Sequence, residues 1–325
     1  MSVSKSISTG AELRGVWPAL FTPLKNDDPK RLRNSIDYDK AKSIIDDLIA
    51  EGVNGLVPVG TTGQSPTVSP EQHLDYIRFT VDYVAGRVPV LAGAGSNSTR
   101  ESVDMIQAIQ KSVGDTAVLC VTGYYNNPPQ EGLAAHYETL SRETDAKIVI
   151  YNVPARTASY LEPETLIRLA EDKNVIGLKQ AVDFRNEGKF RNDTAMVLQK
   201  TKNLDFGIVS GEDDGVFAMM ELGGNGVVTA SGTIAEASRL YLKLVSAFAA
   251  GNSAESKRLQ EEAMGFVKLV FARKNPIPLG TFFNSPLFRP LVSVKETKGG
   301  AELEAEIMRF TQEKFPSLKK YHAGI

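Results

Sequence analysis

The sequence predicts an α/β fold: a closed (β/α)8 barrel of the TIM type, followed by a C-terminal helical extension. Three observations carry this expectation. Eight short apolar runs alternate with amphipathic stretches along the chain. The runs are nearly continuous in their hydrophobicity, the pattern of parallel strands covered by helices. The ends of four successive runs, Gly93, Thr122, Tyr151 and Lys179, follow one another by 29, 29 and 28 residues. That spacing is the length of one strand, one helix and two turns.

The strand-like runs are 16–21, 55–59, 88–92, 116–122, 147–151, 175–179, 206–210 and 226–229. Helical patterns lie between them at 38–50, 70–84, 99–111, 132–144, 163–171 and 214–222. Asp39, Ser69, Ser98 and Glu162 read as helix start signals. Pro70 and Pro163 suit first helical positions, where a missing N–H leaves no bond unmade. The charged stretch 185–191 (Arg-Asn-Glu-Gly-Lys-Phe-Arg) reads as a solvated loop. The apolar stretch 240–250 is interrupted by Lys243 and Ser246 and reads as a core-facing helix; no segment approaches the ~20 apolar residues of a membrane span. The barrel is assigned to residues 1–252. Residues 253–325 carry helical patterns near 253–271 and 302–311, punctuated by Asn275-Pro276-Ile277-Pro278. That block is short for an independent core, so it is expected to pack on the barrel. The competing fold, an open doubly wound sheet, calls for G-x-G-x-x-G after its first strand. The candidate Gly93-Ala94-Gly95-Ser96-Asn97-Ser98 lacks the third glycine.

Composition narrows the function classes. The 325 residues are 42% hydrophobic and 23% charged, ordinary for a soluble globular protein. A net charge of -2 gives no long-range attraction to nucleic acid or an anionic membrane. The single cysteine, Cys120, lies in an apolar run and has no partner for an intramolecular disulfide. This fits a reducing compartment and a cytoplasmic location. Residues 1–10 are rich in Ser without an apolar core, unlike a secretory signal.

In such a barrel, chemistry sits on the loops after the C-terminal strand ends. Here these ends carry hydroxyls and small residues, and Lys179 is their only basic group. A lysine with the usual pKa near 10.4 is neutral only about once in a few thousand molecules at pH 7. A partly dry pocket or a neighbouring cation lowers that value, and the free amine then attacks a carbonyl carbon to form a Schiff base. The plainer reading of Lys179 is a charged rim residue. Imine chemistry also needs a proton shuttle, which a tyrosine relayed by another hydroxyl supplies. Tyr151, one strand away, and Thr61 are placed for it; otherwise Tyr151 is a rim aromatic plugging the barrel. In Gly60-Thr61-Thr62-Gly63 the glycines let the backbone approach a carboxylate and both threonines donate to it. Arg156, five residues past Tyr151, either forks onto a second carboxylate or pairs with a local acid such as Glu162.

Taken together, Gly60-Thr61-Thr62-Gly63, Tyr124-Tyr125-Asn126, Tyr151-Asn152-Val153-Pro154-Ala155-Arg156-Thr157 and Ile176-Gly177-Leu178-Lys179 resemble the dihydrodipicolinate synthase family. That family belongs to the class I, pyruvate-dependent aldolase and lyase superfamily. The likeness runs from about residue 15 to 278 and includes Gly211, Gly223-Gly224-Asn225-Gly226 and Asn275-Pro276-Ile277-Pro278. The resemblance implies an imine between Lys179 and pyruvate. It implies a relay of Tyr151, Thr61 and Tyr125, with Tyr125 reaching in from a neighbouring subunit. Thr61 and Thr62 would hold the pyruvate carboxylate, and Arg156 that of aspartate semialdehyde. Gly211 and Val228 would line the pocket through their backbones. The product would be 4-hydroxy-tetrahydrodipicolinate, on the way to diaminopimelate and lysine. No metal or organic cofactor is implied, because the imine is the electron sink. The implied assembly is a homo-oligomer, a dimer of dimers.

The chain departs from that pattern in places. Gln64 and Gln180 stand where the family usually has Glu, which is expected to alter the pocket's electrostatics toward the second substrate. Gly123 replaces a common proline. The stretch 183–193 is longer than usual. Family members inhibited by lysine bind it in a cleft between subunits. The matching positions here are Ser65, Pro66, Pro70, His73, Asn97, Glu101 and Tyr124. Pro70 replaces a histidine of sensitive members, so weak or absent feedback is expected; His73 otherwise reads as a solvated helix histidine. An alternative within the superfamily is an aldolase or dehydratase of keto sugar acids, such as an N-acetylneuraminate lyase. Arg156 favours the synthase, since a short dicarboxylic product calls for a guanidinium there. A non-catalytic sensor of keto or amino acids is disfavoured by Lys179, Tyr151 and Thr61 together.

Overall fold

The computed structural model describes residues 6–322; residues 1–5 of the expected non-signal segment, and 323–325 at the other end, lie outside the described residues. Among the described residues there are seven strands: β1 Gly15–Pro18, β2 Ala92–Gly93, β3 Val118–Val121, β4 Ile148–Asn152, β5 Val175–Gln180, β6 Gly207–Ser210 and β7 Gly226–Thr229. All pair in parallel, in the order β1-β7-β6-β5-β4-β3-β2. This is a curled parallel sheet of the TIM-barrel kind, wrapped by helices.

The expected strand at 55–59 is not a regular strand. It bridges both edges of the sheet through single parallel contacts, Ala19 with Val57 and Leu56 with Val90. Its bonds run from Leu20 N to Val57 O (2.9 Å), Val57 N to Pro18 O (2.9 Å), Leu91 N to Leu56 O (2.9 Å) and Gly93 N to Pro58 O (3.0 Å). Pro18, Pro58 and Pro89 have no N–H to give, so the ladder breaks at this seam. The same shortage shrinks the expected run 88–92 to the two residues of β2.

The helices are α1 Tyr38–Glu51, α2 Pro70–Val84, α3 Thr99–Val113, α4 Gln130–Thr144, α5 Pro154–Thr157, α6 Pro163–Leu169, α7 Lys189–Thr201, α8 Val216–Glu221, α9 Ala235–Ala249, α10 Ser253–Val270, α11 Ile277–Phe282 and α12 Gly300–Lys314. Ser69 and Ser98 cap α2 and α3 by accepting from Gln72 N (3.2 Å) and Glu101 N (3.3 Å), as expected. The cap of α1 is Asp37, which accepts from Lys40 N at 3.0 Å. Asp39 instead lies inside the first turn, where a carboxylate meets the helix dipole. Glu162 precedes α6 without a side-chain cap bond. The loop reading of 185–191 fails at Lys189, where α7 begins. Phe190 anchors that first turn with its ring 5.2 Å from that of Tyr160. Among the described residues no helix is long and apolar enough to cross a membrane, and Cys120 is a buried free thiol.

The core has two parts. Val16, Ile148, Ile150, Leu178 and Ile208 face the helices. Trp17, Val57, Leu119, Val149, Tyr151, Ile176, Val209 and Val228 fill the barrel interior. Alternation along a strand assigns these faces. In β5 the alternation slips: opposite β4, Ile148 pairs with Val175 but Val149 pairs with Gly177, so the register shifts by one residue at Ile176. Both Ile176 and Lys179 therefore belong to the interior side, although an unbroken period of two would send Lys179 outward.

Candidate active site

Lys179 pairs in register with Tyr151 on β4 and Val209 on β6, and both neighbours point into the barrel. Its side chain is buried, with 7% of the residue exposed, and its Nζ lies 4.2 Å from the centroid of the Tyr151 ring. The amine opens into a cavity of about 230 Å³, lined also by Thr61, Thr62, Tyr151, Arg156 and Gly211. Gly211 makes room for the lysine stem. A Cβ there would stand 3.0 Å from Lys179 Cε and 2.7 Å from Ala181 Cβ.

The threonine pair sits on a rigid loop. Val59, just before it, is held at φ +51°, a conformation that costs a β-branched residue on the order of 1–3 kcal/mol. Surrounding bonds hold the strain in place. Thr22 Oγ1 donates to Gly63 O at 2.8 Å. Gln64 Nε2 donates to Thr22 O at 3.0 Å, and its Oε1 accepts from Phe288 N at 3.0 Å. Thr61 and Tyr151 also share a second cavity of about 320 Å³ with Ser65, Tyr124 and Arg156. No hydrogen bond joins the Thr61 and Tyr151 hydroxyls among the described residues. The Arg156 guanidinium lies at the rim and donates from Nη2 to Asn275 O at 3.3 Å; it does not pair with Glu162.

Two expectations are corrected. Gln64 and Gln180 do not touch either cavity. Both are fully buried, and each uses its amide in both senses: Gln180 Oε1 accepts from Asn152 Nδ2 (3.0 Å) while its Nε2 donates to Thr194 (3.3 Å). An ionised glutamate has no proton to make the second bond, so these glutamines are internal fasteners rather than pocket-lining groups. His73 is not solvated either. It is buried, its Nε2 lies 2.7 Å from Gly93 O, and desolvation pulls its pKa below the usual value against that contact.

Other expected residues are scattered. Val228 is wholly buried in the interior cluster beside Trp17. Tyr125 is 92% exposed at φ +75° and lies outside the cavities of its own chain. Among the regulatory candidates, Ser65 and Tyr124 face the larger cavity. Asn97 is occupied by Tyr124 N (3.1 Å) and Glu101 by Ser96 Oγ (2.6 Å).

Sequence reasoning missed two residues of the mouth. Glu212, next to Gly211, lines the Lys179 cavity. Burial pushes its carboxyl up to about 7, aided by Asp214 and Asp213 and opposed by Lys179 and Arg185. Its place immediately after a strand end was the available signal. Asn275 also lines this cavity; it comes from the segment between α10 and α11, whose Asn-Pro-Ile-Pro motif belongs to the family likeness but carried no site role in the sequence reading. Among the described residues no group of His, Cys, Asp and Glu is arranged to hold a metal ion.

Comparison with known proteins agrees with this geometry. The model of the dihydrodipicolinate synthetase family matches residues 12–286. The 4-hydroxy-tetrahydrodipicolinate synthase of Methanococcus maripaludis is 38% identical over 273 residues, covering 84% of this chain and 88% of that one. The enzyme of the same name from Methylibium petroleiphilum is 40% identical over 261 residues, covering 80% and 84%. The solved dihydrodipicolinate synthase of Thermotoga maritima superposes with a TM-score of 0.81 at 33% identity, covering 92% of this chain and 98% of that one. A fold, an ordered set of motifs and near full-length similarity thus converge, and the chain belongs to the dihydrodipicolinate synthetase family.

Proposed function

We propose that this chain is a lyase of the 4-hydroxy-tetrahydrodipicolinate synthase type, condensing pyruvate with aspartate semialdehyde in lysine and diaminopimelate biosynthesis. The observation that carries this reading is the buried Lys179 amine over the Tyr151 ring, in a cavity shared with Thr61, Thr62 and Arg156. Lys179 Nζ attacks the pyruvate keto carbon, and water leaves to give the imine. A methyl proton is lost to form an enamine, whose carbon bonds to the aldehyde carbon. The amine of the second substrate then attacks the imine carbon and expels Lys179, closing the ring. One water is released per condensation. Tyr151 and Thr61 move the protons. Thr61 and Thr62 donate to the pyruvate carboxylate while Arg156 takes that of the second substrate. The imine is the electron sink, so the reaction calls for no metal or organic cofactor.

In this reading, residues 1–252 form the closed eight-unit barrel, with 55–59 as its second strand. Residues 253–325 form a C-terminal helical extension packed on it. The exposure of Tyr125 supports a homo-oligomer, a dimer of dimers, in which that phenol serves the neighbouring site. A cytoplasmic enzyme with weak or absent lysine inhibition completes the picture, on the strength of Pro70 and of the internal bonds of Asn97 and Glu101. The test is borohydride reduction in the presence of pyruvate, followed by mass spectrometry. A pyruvate-derived adduct on Lys179, lost in Lys179→Ala, is expected. An unmodified chain would sink the imine mechanism. Turnover of aspartate semialdehyde against cleavage of keto sugar acids then assigns the electrophile.

A further inference from the structure

Asn275 joins the two carboxylate-binding groups of the mouth. It is buried, with 5% of the residue exposed. Its Nδ2 donates to Thr62 Oγ1 at 3.0 Å, and its backbone carbonyl accepts from Arg156 Nη2 at 3.3 Å. Among the described residues its Oδ1 has no partner, a cost that calls for an explanation in what the other half of the amide does. Thr62 is equally buried, at 3% exposure, and both residues line the Lys179 cavity.

A threonine hydroxyl has one hydrogen and two lone pairs. When an amide N–H occupies one lone pair, the hydroxyl hydrogen must point elsewhere. Around Thr62 the open direction is the cavity, since its hydroxyl donates to no protein group among the described residues. The hydroxyl is thereby committed as a donor before any ligand arrives, which is what a carboxylate requires. A free hydroxyl rotor would have to be ordered at the moment of binding.

We propose that Asn275 is a positioning residue for the keto acid: its side-chain amide fixes the Thr62 hydroxyl as a donor to the pyruvate carboxylate. This rests on the imine reading above. It assigns the site a member from beyond the barrel's last strand.

The test is a double-mutant cycle read as KM against kcat. Asn275→Asp keeps shape and acceptors but has no amide hydrogen, and Asn275→Ala removes both. Each is expected to raise the pyruvate KM about tenfold, the effect of one hydrogen bond to a charged group, with a smaller change in kcat. Asn275→Ala combined with Thr62→Val is expected to match Thr62→Val alone, because the amide acts only through that hydroxyl. A pyruvate KM within twofold of the parent in a folded Asn275→Asp, or additive effects in the double variant, overturns the proposal. If circular dichroism shows that Asn275→Ala is unfolded, Asn275→Asp decides. Collapse of both would assign the residue to folding and also overturn it. Borohydride trapping on the unaltered chain runs alongside. No adduct there defeats the imine reading, whereas a normal adduct with an unmoved KM in the variants defeats only the role of Asn275.

Discussion

Lys179 Nζ stands 4.2 Å from the centre of the Tyr151 ring, and the two residues face each other in register across β4 and β5. In the proposed reaction the phenol has two separable jobs: its face supports the amine and its hydroxyl moves protons. Tyr151→Phe keeps the face and deletes the hydroxyl. Its kcat is expected to fall about 10²–10⁴-fold, while the borohydride adduct still forms. Tyr151→Ala should lose both rate and adduct. Equal behaviour of the two variants would show that the ring does not position the amine.

Arg156 presents a fork at the rim, with one arm on Asn275 O. Arg156→Lys keeps the charge but loses planar two-point contact. We expect the KM for the second substrate to rise about tenfold or more, with the pyruvate KM unmoved. Initial-rate kinetics with each substrate varied in turn read this out, and a parallel rise in both constants would argue against separate carboxylate sites.

Gly211 carries no side chain because the lysine stem passes over it. Gly211→Ala puts a methyl within 3.0 Å of Lys179 Cε. We expect a loss of about 1–3 kcal/mol in stability from overpacking, together with slower imine formation as the amine is pushed from its place. Urea unfolding and trapping rates measure the two. Parental values in both would mean that the loop yields.

Glu212 provides a pH signature of stability. Its carboxyl titrates near 7 in the fold against 4.5 in its absence. Between those values the folded chain holds a proton that the unfolded chain has released, so this group makes stability fall as pH rises from about 4.5 to 7. Glu212→Gln removes the titration. Thermal unfolding should find the variant close to the parent at pH 4 and more stable than it at pH 8. A constant difference across that range would place the carboxyl in water.

Much of the fold is legible along the chain because its signals are local. Ser69 followed by Pro70 marks the start of α2 in one dipeptide, and the site motifs follow strand ends that the apolar runs mark. What escaped the sequence was decided at a distance. Three prolines on separate segments meet to interrupt one seam, which no single run reveals. The first turn of α7 is charged, and only Tyr160 across the gap shows why Phe190 is there. Gln64 and Gln180 look like pocket residues by their neighbours in sequence, yet their amides are occupied by Thr22, Phe288, Asn152 and Thr194. Asn275 reaches the mouth from a segment whose own pattern says only that a helix has ended.

The slip at Ile176 lets β5 carry one residue more than β4 over the same length. Parity is therefore what aims the nucleophile. Pairing the same residues with β4 in unbroken register would leave an apolar strand, while swinging the amine to the helix side of the wall and turning Leu178 into the mouth. Such a pairing would keep the architecture and have no chemistry, so the one residue that β5 leaves unpaired against β4 is what separates an aimed amine from an inert wall of the same shape.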